Sequence, residues 1–231
     1  MKDNDNEMTI WGIVDAVNPV SSVNYVLDII SDRGIIELNR QIIKCKNCSI
    51  CNTVKSVVKC KVKPGRILVL SEHVTKEQLE SSSETAFMPY EGTNFATILE
   101  DKLYSLFSED ALFFSDVVHC YPYHGKNYAQ RPPTSKEISS CLPFLWELVR
   151  FMRPIAIMAM GNIVINALLP GQFIADRDHG RWTTVRDIPT MIFQNPANIF
   201  TEGLEEAFDK DLELFVNSLR SNESTKVLLR S

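Results

Sequence analysis

Cysteines at metal-binding spacings are the most evident chemical feature of this 231-residue chain. The six cysteines are Cys45, Cys48, Cys51, Cys60, Cys120 and Cys141. Cys45 and Cys48 form a C-x-x-C pair, in which two thiolates can share one metal while the turn between them supplies backbone amides. With Cys120 and Cys141 they would provide four thiolates from three separate elements, enough for one zinc ion or one [4Fe–4S] cluster. A purely local site that uses the other two cysteines is also open, and a cysteine outside any site is expected to be a small buried side chain.

Polar side chains lie where the predicted strands end. These strand ends are at residues 71–73, 116–120, 160–162 and 194–196. In open parallel sheets, ligands bind beyond the carboxyl ends of the strands. We therefore expect the functional site there, at an edge that includes Glu72, His73, Asp116 and Asn195.

Strands and helices alternate along the chain. Short, continuous apolar runs predict buried strands at residues 66–71, 111–118, 154–160 and 188–194. Apolar spacing, together with a capping box formed by Thr134 and Glu137, predicts helices at residues 93–107, 134–153, 161–169 and 204–219. This alternation predicts a three-layer α/β/α fold with a central, mainly parallel four-stranded sheet that helices cover on both faces.

The composition is that of a globular protein. Hydrophobic residues make up 45% of the chain and charged residues 23%, which excludes an intrinsically disordered protein. The most apolar stretch, residues 154–170, is too short to span a membrane and contains two asparagines. The N-terminus is acidic and polar, so we expect no secretory signal and a reducing location, either cytoplasmic or nucleoid-associated.

Basic residues are concentrated in one block of an acidic chain. The formal net charge is −5, but residues 44–66 contain seven basic residues and no acidic one. Such a block is a candidate surface for DNA phosphates, and it is also typical of a solvated loop whose charges offset neighbouring acids. Within it we assign DNA binding to four lysines, which are Lys55, Lys59, Lys61 and Lys63.

Six segments between Ile36 and Asn198 resemble, in the same order, the motifs of the family-4 uracil-DNA glycosylases, the iron–sulfur type. The segments are C-K-N-C-S-I-C at 45–51, P-Y-E-G at 89–92, D-V-V-H-C at 116–120, R-P-P-T-S-K-E-I followed by C-L-P-F-L at 131–145, R-P followed by M-G-N at 153–162, and Q-N-P-A at 194–197. The resemblance implies a glycosylase-like domain at 36–220, with an acidic N-terminal extension at 1–35 and a polar tail at 221–231. It also implies an enzyme that flips uracil or a related damaged or modified base out of DNA and hydrolyses its N-glycosidic bond.

The resemblance also assigns roles to single residues. The family's cluster ligands match the C-x-x-C pair, Cys120 and Cys141, which implies a structural [4Fe–4S] cluster and leaves the other two cysteines as non-ligands. Tyr90 matches the aromatic residue that stacks on the flipped base, although a tyrosine at the rim of the pocket is also open. We further expect Asn198, where the resemblance ends, to contact DNA.

Three positions depart from the family's active-site motifs. Glu72 stands in S-E-H-V-T where the family has G-E-A-P-G, and its carboxylate can still position or activate water. Asn195 replaces the catalytic histidine, so it can donate a hydrogen bond to the leaving base but cannot carry positive charge. Asp116 replaces the asparagine that reads uracil; an ionised carboxylate only accepts hydrogen bonds, which favours an exocyclic amine such as cytosine's, unless Asp116 merely bonds backbone amides. His73, new in this loop, is either an additional base or an ordinary loop histidine.

Three functions are consistent with these features. The first is a DNA glycosylase with altered or weak activity. The second is a catalytically inactive, DNA-binding accessory subunit of a replication or polymerase assembly, which keeps the scaffold and the cluster. The third is a protein-binding module that uses the acidic terminal segments. We expect single- or double-stranded DNA as the partner, a protein partner at the acidic termini, and no membrane.

Overall fold

The computed structural model describes residues 24–53, 55–58, 65–76, 94–108, 110–125, 129–196, 198, 203–221, 225 and 228–229. Five residues singled out above lie outside these ranges, namely Lys59, Cys60, Lys61, Lys63 and Tyr90.

A five-stranded sheet forms the centre of the protein, which is one strand more than the sequence predicts. In chain order the strands are β1 (Ile67–His73), β2 (Leu112–Val118), β3 (Tyr123–His124), β4 (Ala129–Gln130), β5 (Ala156–Met160), β6 (Trp182–Val185) and β7 (Ile188–Phe193). The central sheet has the order β2-β1-β5-β7-β6, while β3 and β4 form a separate two-stranded hairpin. Strands β2, β1, β5 and β7 are parallel, and the additional strand, β6, pairs antiparallel with β7. The prediction of a mainly parallel sheet is thus confirmed, but its strand count was wrong.

Helices cover both faces of this sheet. They are α1 (Asn24–Lys44), α2 (Asn94–Leu106), α3 (Ser135–Met152), α4 (Asn162–Leu168), α5 (Ala175–Asp178) and α6 (Glu205–Arg220). Helices α2 and α6 pack on one face, in a core that includes Leu99 and Phe208. Helices α1, α3 and α4 pack on the other face, with Leu38 and Leu145. The predicted three-layer α/β/α fold is therefore confirmed. Among the described helices, none has both the length and the apolar character needed to cross a bilayer.

The parallel strands are apolar throughout because helices cover them on both sides. All five residues of β5 and the first five of β1 are buried. Strand β1 lies between β2 and β5, so its last residues, Glu72 and His73, reach the carboxyl edge near the centre of the sheet. Backbone pairing alone therefore brings Glu72 to the same edge as the residues that follow β5 and β7.

The sequence located the start of α3 but missed α1. The Thr134 side chain accepts a hydrogen bond from the Glu137 N–H, and the Glu137 carboxylate accepts one from the Thr134 N–H at 2.8 Å, as the capping box predicts. Helix α1 crosses residue 35, where we expected the N-terminal extension to end. The extension and the domain are therefore joined by one continuous helix.

A tight hairpin joins β6 to β7. Its turn residues, Arg186 and Asp187, have φ angles of 50° and 65°, the left-handed conformation that a type I′ turn requires at both positions. The Arg186 guanidinium lies 3.9 Å from the centre of the Trp146 ring in α3. This cation–π contact anchors the turn to the helical layer.

Candidate active site

Glu72 lies near the end of β1, with its carboxylate against the start of α4. Its Oε1 accepts a hydrogen bond from the Ile163 backbone N–H at 3.1 Å, and the Asn195 side chain donates another. Burial raises the pKa of Glu72 to about 7 and the charge of Asp176 adds to this effect, while the two hydrogen bonds oppose it. The Glu72 carboxyl group can therefore gain or lose a proton near neutral pH.

Gly161 allows Glu72 to lie against the turn between β5 and α4. The glycine has a φ of +96°, a conformation that residues with side chains rarely adopt. A Cβ atom at this position would collide with Glu72 Oε1 and would lie 3.3 Å from the Cβ of Asn195. The absence of a side chain at Gly161 thus lets the ends of β1, β5 and β7 meet around one carboxylate.

Asn162 holds the segment that follows α4 in place. Its Nδ2 donates to Asp176 Oδ2 at 2.6 Å, and its Oδ1 accepts from the Ala175 N–H at 2.7 Å. These two bonds fix Asp176, whose negative charge helps to raise the pKa of Glu72. Asn162 therefore influences the pKa of Glu72 indirectly, because it positions Asp176.

Asp116 presents an acceptor oxygen that lacks a donor. Only 1% of this residue is exposed. Ser71, its neighbour in the register of β1 and β2, donates its hydroxyl to Asp116 Oδ1. The other oxygen, Oδ2, has no hydrogen-bond partner within the part of the chain that the structure describes. Because an unsatisfied buried polar atom is unfavourable, Oδ2 is a candidate acceptor for a ligand's N–H group.

Two histidines lie within electrostatic reach of Asp116. His73 Nδ1 lies 2.9 Å from the carbonyl oxygen of Val74, and it must carry the proton because a carbonyl only accepts. Burial lowers the pKa of both His73 and His119, although the negative charge of Asp116 opposes this effect in each. Both rings are therefore neutral near pH 7, and neither supplies the positive charge of a catalytic histidinium.

Four cysteines, here called the four-cysteine group, come together from three elements. They are Cys45, Cys48, Cys120 and Cys141. Burial, together with the charges of Cys45 and Cys48, raises the pKa of Cys120 to about 12 and that of Cys141 to about 11. All four sulfurs are therefore close enough to interact electrostatically. The charge of Cys51 also acts on Cys48.

Backbone amides point at two of these sulfurs. The His119 N–H donates to Cys141 and the Ile50 N–H donates to Cys48, and each bond lowers the pKa of its thiol because it favours the thiolate. Within the described residues, however, no three His, Cys, Asp or Glu side chains are arranged to hold one metal ion.

The segment that carries Cys45 and Cys48 is attached to β2 and to α3. Lys55 forms an antiparallel bridge with Cys120, just beyond β2. Glu137, at the start of α3, accepts from Ser49 Oγ at 3.0 Å and from two nitrogens of Arg131 at 2.6 and 2.7 Å. These contacts hold the C-x-x-C segment against the two elements that carry the other cysteines.

A family model described as "Uracil DNA glycosylase superfamily" matches residues 63–220. The chain belongs to the uracil-DNA glycosylase superfamily. A search of curated proteins finds no match. The matched range contains the central sheet, Glu72, Asp116, Gly161 and Asn195, and it begins after the C-x-x-C pair. Membership of the superfamily is therefore established independently of that pair.

Two of the residues predicted to contact DNA in this uracil-DNA glycosylase superfamily member lie in the described ranges. Lys55 donates from Nζ to the carbonyl oxygens of Ile43 and Cys45, both at 3.0 Å, and so caps the C-terminal end of α1. The Asn198 N–H donates to the Asn195 carbonyl at 3.0 Å. DNA binding by Lys55, by Asn198 and by the three lysines outside the described residues stays a prediction, as does base stacking by Tyr90.

Sequence reasoning brought Glu72 and Asn195 to one site but missed the residues that hold them there. The M-G-N segment at 160–162 was recognised as a superfamily motif, but its glycine was not assigned to making room for Glu72. Nothing in the sequence marks Asp176 or the Ile163 N–H, because both reach Glu72 only through the packing of β1 beside β5. Ser71 was likewise missed, since its bond to Asp116 depends on the register of two strands.

Proposed function

We propose that this chain is a family-4-like DNA glycosylase that removes uracil or a related damaged or modified base by hydrolysis of the N-glycosidic bond. The observation that carries the proposal is the Glu72 site. It combines a buried carboxyl group whose pKa is about 7 with an Asn195 amide beside it, at the carboxyl edge of the sheet. Membership of the superfamily supports DNA as the substrate.

In the proposed reaction, the bond between the base and C1′ of the sugar breaks, and its electron pair leaves with the base. A water oxygen forms the new bond to C1′, and a proton of that water passes to the Glu72 carboxylate. The Asn195 amide has two N–H donors, so one can bond Glu72 while the other bonds the leaving base. As a neutral donor it stabilises the developing negative charge less than a histidinium would, so we expect slow turnover.

We assign base selection to Asp116. Its Oδ2 would accept a hydrogen bond from an exocyclic amine, such as that of cytosine, and would repel O4 of uracil. The substitution Asp116→Asn presents one donor and one acceptor, so it should shift the preference toward uracil. Rates of uracil and cytosine excision by the two proteins test this assignment.

We also infer that the four-cysteine group holds a [4Fe–4S] cluster. Four thiolates are the ligand set of a [4Fe–4S] cluster as well as of a structural zinc ion, and the resemblance to the iron–sulfur type favours the cluster. The amides that point at Cys48 and Cys141 are of the kind that stabilises thiolate ligands. Bound there, the cluster would have a structural role, linking the C-x-x-C segment to β2 and α3. It would take no part in breaking the glycosidic bond.

One observation favours a second candidate, a catalytically inactive DNA-binding accessory subunit of a replication or polymerase assembly. Asn195 directs a neutral N–H at Glu72, and His73 and His119 are neutral, so none of these three side chains carries positive charge toward a leaving base. In this role the acidic termini would bind the protein partner, in the cytoplasm or at the nucleoid.

A base-excision assay distinguishes the two candidates. The protein, purified without oxygen and checked for iron, is offered uracil, cytosine, hypoxanthine, xanthine and 5-substituted uracils in single- and double-stranded DNA. Asn195→His is tested in parallel. We expect slow excision by the native protein and faster excision by the variant. No excision by either protein, while both are loaded with iron and bind DNA, would refute the glycosylase and favour the accessory subunit.

A further inference from the structure

A groove of about 680 Å³ lies between the C-terminal half of α1 and Phe144 of α3, on the face of the sheet that these helices cover. We call it the α1–Phe144 groove. Its charged lining consists of Arg40, Lys44 and Lys46, with Glu37 as the one acidic residue. The groove is thus cationic in a chain whose net charge is −5.

The positive charge of this groove is available to a ligand. Within the described residues, neither Lys44 nor Lys46 has an ion pair or hydrogen bond at its side chain. Among the residues that the structure describes, Arg40 pairs only with Glu37, at 3.5 Å, and both side chains are more than half exposed. An exposed pair of this kind contributes little to stability and exchanges readily for another anion.

Phe144 gives the same groove an aromatic wall. The residue is half-buried, and its ring lies edge-on to the buried His119 ring, with 6.2 Å between the ring centres. The contact holds the Phe144 ring in place while part of the residue stays accessible at the groove. Basic side chains that follow a phosphate backbone, combined with an aromatic ring that can stack on a base, are typical of single-stranded DNA sites.

We propose that the α1–Phe144 groove binds a single-stranded segment of DNA, at a place separate from the Glu72 site. Arg40, Lys44 and Lys46 contact phosphates, and Phe144 stacks on an unpaired base. Single-stranded DNA fits better than an acidic peptide because the aromatic wall offers a stacking surface and because the superfamily acts on DNA. The proposal rests on DNA being the partner in the proposed function, but it does not require that a base be excised.

The test measures the binding of an oligothymidine without excisable bases, by fluorescence anisotropy over a range of salt concentrations. The groove triple variant is Arg40→Gln, Lys44→Gln and Lys46→Gln. A matched control triple removes three cations from the opposite face of the sheet, by Lys102→Gln, Lys210→Gln and Arg220→Gln. Because both triples change the net charge equally, a difference between them reports the groove itself.

We expect the groove triple to weaken binding by roughly tenfold or more at low salt. The slope of the logarithm of the binding constant against the logarithm of the salt concentration should also become shallower by about 2, because each lost phosphate contact on a single strand contributes about 0.7. Phe144→Leu should weaken binding by roughly fivefold or more with little change in slope, since it removes stacking and no charge. The control triple should stay within about twofold of the native protein.

Equal losses in the two triples would overturn the proposal, since net charge alone would then explain binding. Native-like binding by the groove triple, or tighter binding of an acidic peptide than of oligothymidine to this groove, would overturn it as well. Base excision by the native protein is measured separately. If excision is observed but the groove triple binds DNA like the native protein, the groove proposal fails and the proposed glycosylase function stands. If the groove triple loses binding but no excision is observed, the reverse holds. The melting temperature of the groove triple shows whether it folds. It should equal that of the native protein, because Arg40, Lys44 and Lys46 are exposed.

Discussion

Replacing Glu72 with glutamine should separate the stability effect of this buried carboxyl group from its chemical role. Glutamine has nearly the same shape, and its Oε1 can still accept from the Ile163 N–H. Glutamine cannot ionise, so the substitution removes the free-energy penalty of a buried negative charge. It also removes the carboxylate that is proposed to accept a proton from the attacking water. We therefore expect Glu72→Gln to be more stable than the native protein at alkaline pH and inactive as a glycosylase.

The size of this effect follows from the pKa of Glu72. Its ordinary value of 4.5 rises to about 7 in the folded protein. Since one pKa unit corresponds to about 1.36 kcal/mol, the shift represents about 3 kcal/mol. The folded state binds the proton more tightly than the unfolded chain, so the Glu72 contribution to the free energy of unfolding is fully present below pH 4.5 and is lost as pH rises through 7. Glu72→Gln should therefore gain up to about 3 kcal/mol on the native protein between about pH 4.5 and pH 8.

Urea unfolding at several pH values between these limits, followed by circular dichroism, measures this difference. Other titrating groups affect both proteins alike, so they cancel in the comparison. Glu147→Gln, which makes the same change at an exposed residue of α3, is the matched control and should show a far smaller pH-dependent difference. A stability difference between Glu72→Gln and the native protein that stays constant with pH would refute the assignment of a raised pKa to Glu72.

Three further predictions test the supports of the site. Gly161→Ala should lower the free energy of unfolding by more than about 3 kcal/mol and abolish activity, because the new Cβ meets Glu72. The control is Gly171→Ala, which is also at positive φ but has open space around it. It should lower the free energy of unfolding by only about 1–2 kcal/mol. Arg131 holds the pKa of Glu137 down at about 2, so Glu137→Gln should lose about 2–3 kcal/mol in urea unfolding at neutral pH, and this loss should shrink as pH falls from 4.5 to about 2. If the loss stayed the same in acid, the ion pair would not be its cause. Replacing any member of the four-cysteine group with serine should reduce the iron content and the visible absorbance of anaerobically purified protein, whereas Cys51→Ser should leave both unchanged. If Cys51→Ser lost as much iron as the other variants, the proposed set of four ligands would be wrong.

The parts of the fold that depend on local sequence were predictable. Continuous apolar runs located the four parallel strands, because a strand covered by helices on both faces has no polar side. The capping box at Thr134 and Glu137 located the start of α3, since both of its hydrogen bonds form between residues three apart. Strand β6 escaped notice because it has only four residues, of which Val185 alone is buried, so it has neither an apolar run nor a regular alternation.

The strand-end pattern predicted that Glu72 and Asn195 meet at one edge of the sheet, but it did not predict the contacts that join them. A functional role for Glu72, Asp116 and Asn195 stays a prediction. The bond from the Ile163 N–H to Glu72 joins residues 91 positions apart and depends on which strands are neighbours. The missing donor at Asp116 Oδ2 depends on every atom around it, so no sequence pattern could reveal it.

The β6–β7 hairpin determines what kind of edge the sheet exposes to other molecules. Without β6, the outer strand would be β7, a six-residue run with five buried residues whose free N–H and C=O groups would be open to pairing with a second chain. Strand β6 is short and ends in a turn that Trp146 and Arg186 hold against α3, so it offers few positions for such pairing. The contact between Arg186 and Trp146 thus holds in place the strand that borders this edge of the sheet, and it leaves few backbone groups there for pairing with a second chain.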